Sequence, residues 1–175
     1  MTAFEAQAGR IGAGVHRTVR GDAPALAARI LKEAACRSVA LAAVVPGRSA
    51  FARALGEVGF SVVSADALSP TRRADGGISV ARLGVAETGS VLLASTAEDR
   101  RVELCVDVHL VLLEATALVP TLDPAFAALR EISARPPAYA SLVTGPSRSA
   151  DIERQLTIGI HGPRALHVLL VAGEP

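Results

Sequence analysis

Ser38 to Val45 is a near-unbroken run of Val, Ala and Leu closed by Pro46-Gly47. It is too short for a buried helix and suits a strand covered on both faces. Ser49 predicts the cap of a helix that runs to Val58, Gly59 ends it, and Phe60 to Ser64 forms a second short β-rich run. Strand, helix, strand with short links defines a βαβ unit and commits the chain to an α/β fold around a mostly parallel sheet.

The remaining segments extend that pattern. Phe4, Ala8, Ile11 and Val15 recur at helical spacing over Ala3 to Val15, and Asp22 with Pro24 opens a helix to Ala35. Residues 67 to 77, with Ser69-Pro70, two arginines and Gly76-Gly77, read as a loop. Ile78 to Ala86 and Ser90 to Ala94 are strands on either side of Glu87-Thr88-Gly89. His109 to Leu113, Ala140 to Thr144 and Ala165 to Val171 are further strands, with a helix from Asp123-Pro124 through Ser133. No internal repeat interrupts the series, so residues 1–175 are expected to form a single three-layer α/β domain.

Composition narrows the function. Half of the 175 residues are hydrophobic and 20% are charged, which excludes disorder as an overall description. The net charge is +1 and Lys32 is the only lysine, so no basic field exists for nucleic acid. The absence of Trp, with one Tyr and four Phe, also removes the platforms on which bases stack. Cys36 and Cys105 are distant in sequence and form no CxxC pair, so no cofactor or metal is expected on this chain, and Cys36 after Ala34-Ala35 reads as a core residue. No signal peptide or membrane span is recognisable, which predicts a soluble cytoplasmic protein; the Ala- and Arg-heavy composition points to a bacterium.

Three polar segments lie between apolar strands, where α/β sheets collect ligands. In the first, Glu87 is a carboxylate at a strand end beside Thr88-Gly89-Ser90; it suits a general base or nucleophile, and equally a turn carboxylate bonded to nearby amides. In the second, a strand leads through Thr144-Gly145-Pro146 to Ser147-Arg148-Ser149 and a helical Ala150-Asp151-Ile152-Glu153. Ser149 is the expected cap, and first-turn amides, two hydroxyls and Arg148 would converge on a phosphate or carboxylate; an ordinary capped helix has the same pattern. In the third, His161 stands before Gly162-Pro163 on a turn ahead of the last strand. His109 and His167 sit in apolar strands and read as core or edge residues. Arg100-Arg101 read as a charged solvated turn that could rim an anion site. Dinucleotide, Walker, nucleophile-elbow and zinc-protease motifs are absent.

Together, Ala86 to Ser90, the Arg100-Arg101 segment leading to Val108-His109-Leu110, Thr144 to Glu153 and Gly159 to Pro163 resemble the LUD domain of the lactate-utilization protein C family. The motifs fall in the family's order from about Ile78 to Val171, the segment Phe4 to Val15 is compatible with its first helix, and Arg17 to Gly77 matches only in its alternation of strands and helices. The resemblance implies a fold similar to ribose phosphate isomerase, glucosamine phosphate deaminase and CoA-transferase folds. It also implies a part in oxidising L-lactate to pyruvate beside iron–sulfur partner proteins. Val106 stands where the family commonly has proline, and the chain is short for the family.

Two functional readings follow. In one, the chain is a non-redox accessory subunit whose site holds a small anion through Thr88, Gly89, Ser90, Gly145, Ser147, Arg148, Ser149, Asp151 and Gly162. In the other, it is an enzyme of the isomerase or CoA-transferase type, acting on a phosphorylated or acyl-CoA substrate, with Glu87 and His161 catalytic.

Overall fold

The computed structural model describes residues 2–134, 139–149, 157–158 and 162–173, with 148–149 and 157–158 described through their backbone. Helix α1 (Ala3–Arg10) opens on a capping box in which Thr2 and Glu5 satisfy each other's backbone amides. It stops at Ile11, well short of Val15, which instead lies in strand β1 (Gly14–Val19). The expected helix to Val15 is therefore too long, because the apolar positions beyond Ile11 serve a strand. Helix α2 (Ala23–Glu33), with proline in its first turn, leads to β2 (Ser38–Leu41). Helix α3 (Arg48–Val58) starts after Gly47 as its cap, where Ser49 had been expected, and ends at Gly59 before β3 (Ser61–Val63).

Strand β4 (Ala74–Val85) begins inside the expected loop. Its Gly76-Gly77 pair permits close packing: a Cβ on Gly76 would lie 2.6 Å from Leu31 Cδ2, and one on Gly77 would lie 2.8 Å from Val106 Cγ1. Strand β5 (Ser90–Ser95) returns antiparallel to the end of β4. The next segment, expected to be a charged turn, is helix α4 (Ala97–Leu104), capped by Thr96 accepting from the Asp99 amide. It feeds β6 (Val106–Glu114), a short β7 (Leu118–Val119), α5 (Leu122–Ser133) and β8 (Tyr139–Val143). The two-residue strands β9 (Arg148–Ser149) and β10 (Thr157–Ile158) pair with each other, and β11 (Ala165–Ala172) closes the chain.

The main sheet has the order β1-β11-β6-β4-β2-β3, parallel throughout, while β5 and β8 extend it antiparallel from β4 and β7 pairs parallel with the end of β4. The expected α/β class with a mostly parallel sheet is what forms. Period-two alternation sends successive side chains to opposite faces. On one face Leu110, Leu112, Leu169 and Val171 pack with Leu31, Phe51 and Leu55 of α2 and α3. On the other, Val111, Leu113, Val168 and Leu170 pack with Phe4 and Ala8 of α1. In a third apolar group, Leu83, Val85 and Leu92 pack with Ala125 of α5.

Candidate functional site

Two loops meet over the starts of β6 and β11. The Ser147 amide donates to Pro163 O at 2.8 Å, the Arg164 amide donates to Asp107 O at 2.8 Å, and a Cβ on Gly162 would touch Ser147 Cβ at 3.2 Å. Arg73, one residue before β4, holds this junction together. Its Nη2 donates to Val106 O at 2.5 Å and Gly162 O at 3.5 Å, its Nη1 donates to Leu104 O at 3.2 Å, and Asp107 pairs with it at 3.2 Å.

Beneath the loops is a pocket of about 200 Å³. Its apolar wall includes Leu93, Val143 and Leu166, and its polar lining comprises Glu103 of α4, His109 of β6, Ser141 of β8 and the Gly145, Ser147 and Gly162 loop positions. His109 is 1% exposed and Glu103 is 6% exposed. Desolvation pushes the imidazole down to about 4, so it is neutral at physiological pH, and its Nε2 lies 2.8 Å from Ser79 Oγ. Burial also pushes the Glu103 carboxyl above the ordinary carboxylate range, against the opposing pull of Ser95 and Arg100 and with a further push from Asp99. Two charge-capable groups on different elements are thus both driven toward their neutral forms around one pocket.

The helix that carries Glu103 is anchored on its inner face. Asp99, one turn earlier and 2% exposed, accepts from the Ala43 amide at 2.7 Å through Oδ1, and its Oδ2 makes no hydrogen bond among the described residues. Arg100 reaches outward, donating to Ser141 Oγ at 2.7 Å and lying 5.2 Å from the centre of the Tyr139 ring. The arginine expected to rim a site therefore borders this pocket through Ser141.

The residues expected to carry chemistry separate into groups. Gly145, Ser147 and Gly162 line the pocket. Ser90 joins Thr88 and Thr144 in a chain of hydroxyls with 2.8 Å links, ending one residue before Gly145. Gly89, at φ +69°, fits against the backbone of α1, where a Cβ would lie 2.4 Å from the Ala8 nitrogen. The Glu87 carboxylate is exposed and accepts from the Leu122 amide at 2.6 Å, so it satisfies the first turn of α5 and does not line the pocket. Arg148 and Ser149 lie in β9, with Thr157 opposite Ser149. Asp151, His161 and the helix expected after Ser149 fall outside the described residues.

Glu103 and Ser141 are polar lining residues that the sequence reading does not single out, and His109, read there as a core or edge residue, also lines the pocket. A signal for the first was present: Thr96-Ala-Glu-Asp99 has the spacing of a capping box, which places Asp99 and Glu103 on one helical face. Among the described residues no group of three or more His, Cys, Asp or Glu side chains is placed to hold a metal, and no helix is long and apolar enough to cross a membrane. Burial pushes the Cys36 thiol up to about 11, which keeps it protonated.

A crystal structure of a DUF162 family protein from Deinococcus radiodurans superimposes with a TM-score of 0.69 at 23% identity, covering 98% of this chain and 94% of that one, and establishes the shared fold. An uncharacterized protein of Neisseria meningitidis is 34% identical over 98 residues, 55% of this chain and 42% of that protein. Lactate utilization protein C of Macrococcus caseolyticus is 35% identical over 103 residues, and that of Bacillus subtilis 32% over 108; these matches cover 57% and 59% of this chain and 45% of each relative. The chain thus spans less than half the length of the curated relatives it matches. The sequence profile of the LUD domain matches residues 1–171. The chain belongs to the LUD domain family.

Proposed function

We propose that this chain is a component of a bacterial lactate-utilization system, acting as a non-redox, ligand-binding subunit beside iron–sulfur proteins that carry the electrons. The observation that supports this most strongly is the pocket built from the family-like segments: Gly145 and Ser147 of one loop and Gly162 of the next share one lining with Glu103 of α4 and His109 of β6. Relatives named for lactate utilization supply the pathway. The two cysteines, one buried and one held as a thiol, leave electron transfer to partners. The reading further takes residues 1–175 as a single cytoplasmic domain with a fold akin to ribose phosphate isomerase, glucosamine phosphate deaminase and CoA-transferases. Glu87 supports the accessory role over the acyl-transfer alternative, because its carboxylate is engaged by the α5 amide and lies outside the pocket lining.

The test is reconstitution. The purified chain alone should leave a redox dye unreduced in the presence of L-lactate, and turnover should appear on adding the iron–sulfur partners and disappear when this chain is omitted. Lactate-dependent dye reduction by this chain alone would contradict the reading, as would full turnover by the partners without it.

A further inference from the structure

The pocket holds an unusual polar pair. Glu103 comes from α4 and His109 from the neighbouring β6, both are more than nine-tenths buried, and neither has an ion-pair partner among the described residues. His109 uses Nε2 on Ser79, which leaves Nδ1 as the ring nitrogen that this bond does not engage. The Ser79 hydroxyl accepts or donates by rotating, so it sets whether Nδ1 offers a proton or a lone pair. A buried nitrogen and a buried carboxyl facing one space are costly unless something bonds to them.

We propose that Glu103 and His109 are the ligand-contacting, specificity-determining pair of this pocket, recognising the hydroxyl or carbonyl oxygen of a small 2-hydroxy or 2-oxo acid. This rests on the proposed ligand-binding role and names the chemistry that role recognises. A 200 Å³ pocket is below the size of sites for nucleotide- or drug-sized molecules, which limits the ligand to a few carbon atoms. The apolar wall of Leu93, Val143 and Leu166 suits a short alkyl group. Burial favours the protonated form of the Glu103 carboxyl, which in that form donates to the ligand oxygen, and His109 completes its hydrogen bonding. The ligand carboxylate is then directed away from the Glu103 end, toward the loop at Gly145 and Ser147, since a second carboxyl in a desolvated site disfavours a nearby anion.

A site that hydrogen-bonds a hydroxyl discriminates strongly against the analogue without it, because its polar groups are left unpaired. The experiment compares 2-substituted acids with their deoxy partners by calorimetry: glycolate and acetate, L-lactate or pyruvate and propionate, 2-hydroxybutyrate and butyrate. The wild-type chain should bind at least one 2-substituted acid about tenfold or more tightly than its partner. Glu103→Gln, which keeps a neutral donor, should retain most of that ratio, whereas Glu103→Leu and His109→Phe, confirmed folded by thermal melts, should bring it close to one. Discrimination of another pair without lactate or pyruvate would uphold the pair and overturn only the lactate assignment. Equal binding within every pair, no binding by the wild-type chain, or a ratio unchanged in both Glu103→Leu and His109→Phe would overturn the proposal.

Discussion

Burial withholds the charge of His109. An unfolded imidazole takes up its proton near pH 6.5, whereas this one remains neutral until about pH 4. Its contribution to stability is therefore complete above pH 6.5 and is lost as the pH falls toward 4. At 1.36 kcal/mol per pH unit of displacement, this amounts to about 3 kcal/mol. His16 and His167, which share a 3.1 Å contact between ring nitrogens on the paired strands β1 and β11, are lowered by burial and lose stability in the same direction. Urea denaturation at pH 7 and pH 4.5 should show a smaller loss of stability for His109→Gln than for the wild type, the remainder coming from the other histidines and the carboxylates. An identical pH dependence in the two proteins would show that His109 titrates normally. Its apolar strand made it legible as a core residue; its place at the pocket was not, since that depends on loops more than thirty residues away in sequence.

At the scale of elements, glycines separate tight contact from helical propensity. Gly89, in the link between β4 and β5, has φ +69° and no room beside the Ala8 backbone, so Gly89→Ala should destabilise the fold by about 3 kcal/mol through strain and displacement of α1. Gly56, inside α3 and facing open space, should behave oppositely: Gly56→Ala should stabilise by about 0.5–1 kcal/mol. Equilibrium denaturation of both variants checks the contrast, and a neutral Gly89→Ala would remove the claimed packing of the β4–β5 link on α1. Glu87→Ala should remove the acceptor for the Leu122 amide and destabilise α5 by about 1 kcal/mol. In the wild-type chain, mass spectrometry after incubation with an acyl-CoA should find no adduct on the Glu87 peptide; an adduct there would revive the nucleophile reading. The strands were legible because apolar runs bounded by Gly and Pro are local signals, as at 38–41 and 165–172. Helix α4 was not, because its charged surface conceals a short inner face of Asp99, Val102 and Glu103 that is buried only by tertiary packing.

The whole molecule places its candidate ligand site where the 144–147 and 162–163 loops close over the starts of β6 and β11. Meeting of the second and third polar segments followed from reading both as strand-end loops, and the Ser147 to Pro163 hydrogen bond joins them. The first segment was harder to place: Ser90 and Thr88 connect to Thr144, while Glu87 turns to α5. No local pattern separates those outcomes, since neighbouring residues in a turn face different elements. A competing cavity of about 320 Å³ lies at the opposite ends of the parallel strands, where Arg20 pairs with Glu114 at 2.8 Å beside Pro46 and Gly47. Amide chemical-shift mapping during titration with 2-hydroxy and 2-oxo acids distinguishes the two locations directly. Perturbations should concentrate at Glu103, His109, Ser141 to Ser147 and Gly162 to Leu166, and be small at Arg20, Gly47 and Glu114; the reverse pattern, or no saturable shift at the first group, would contradict the site.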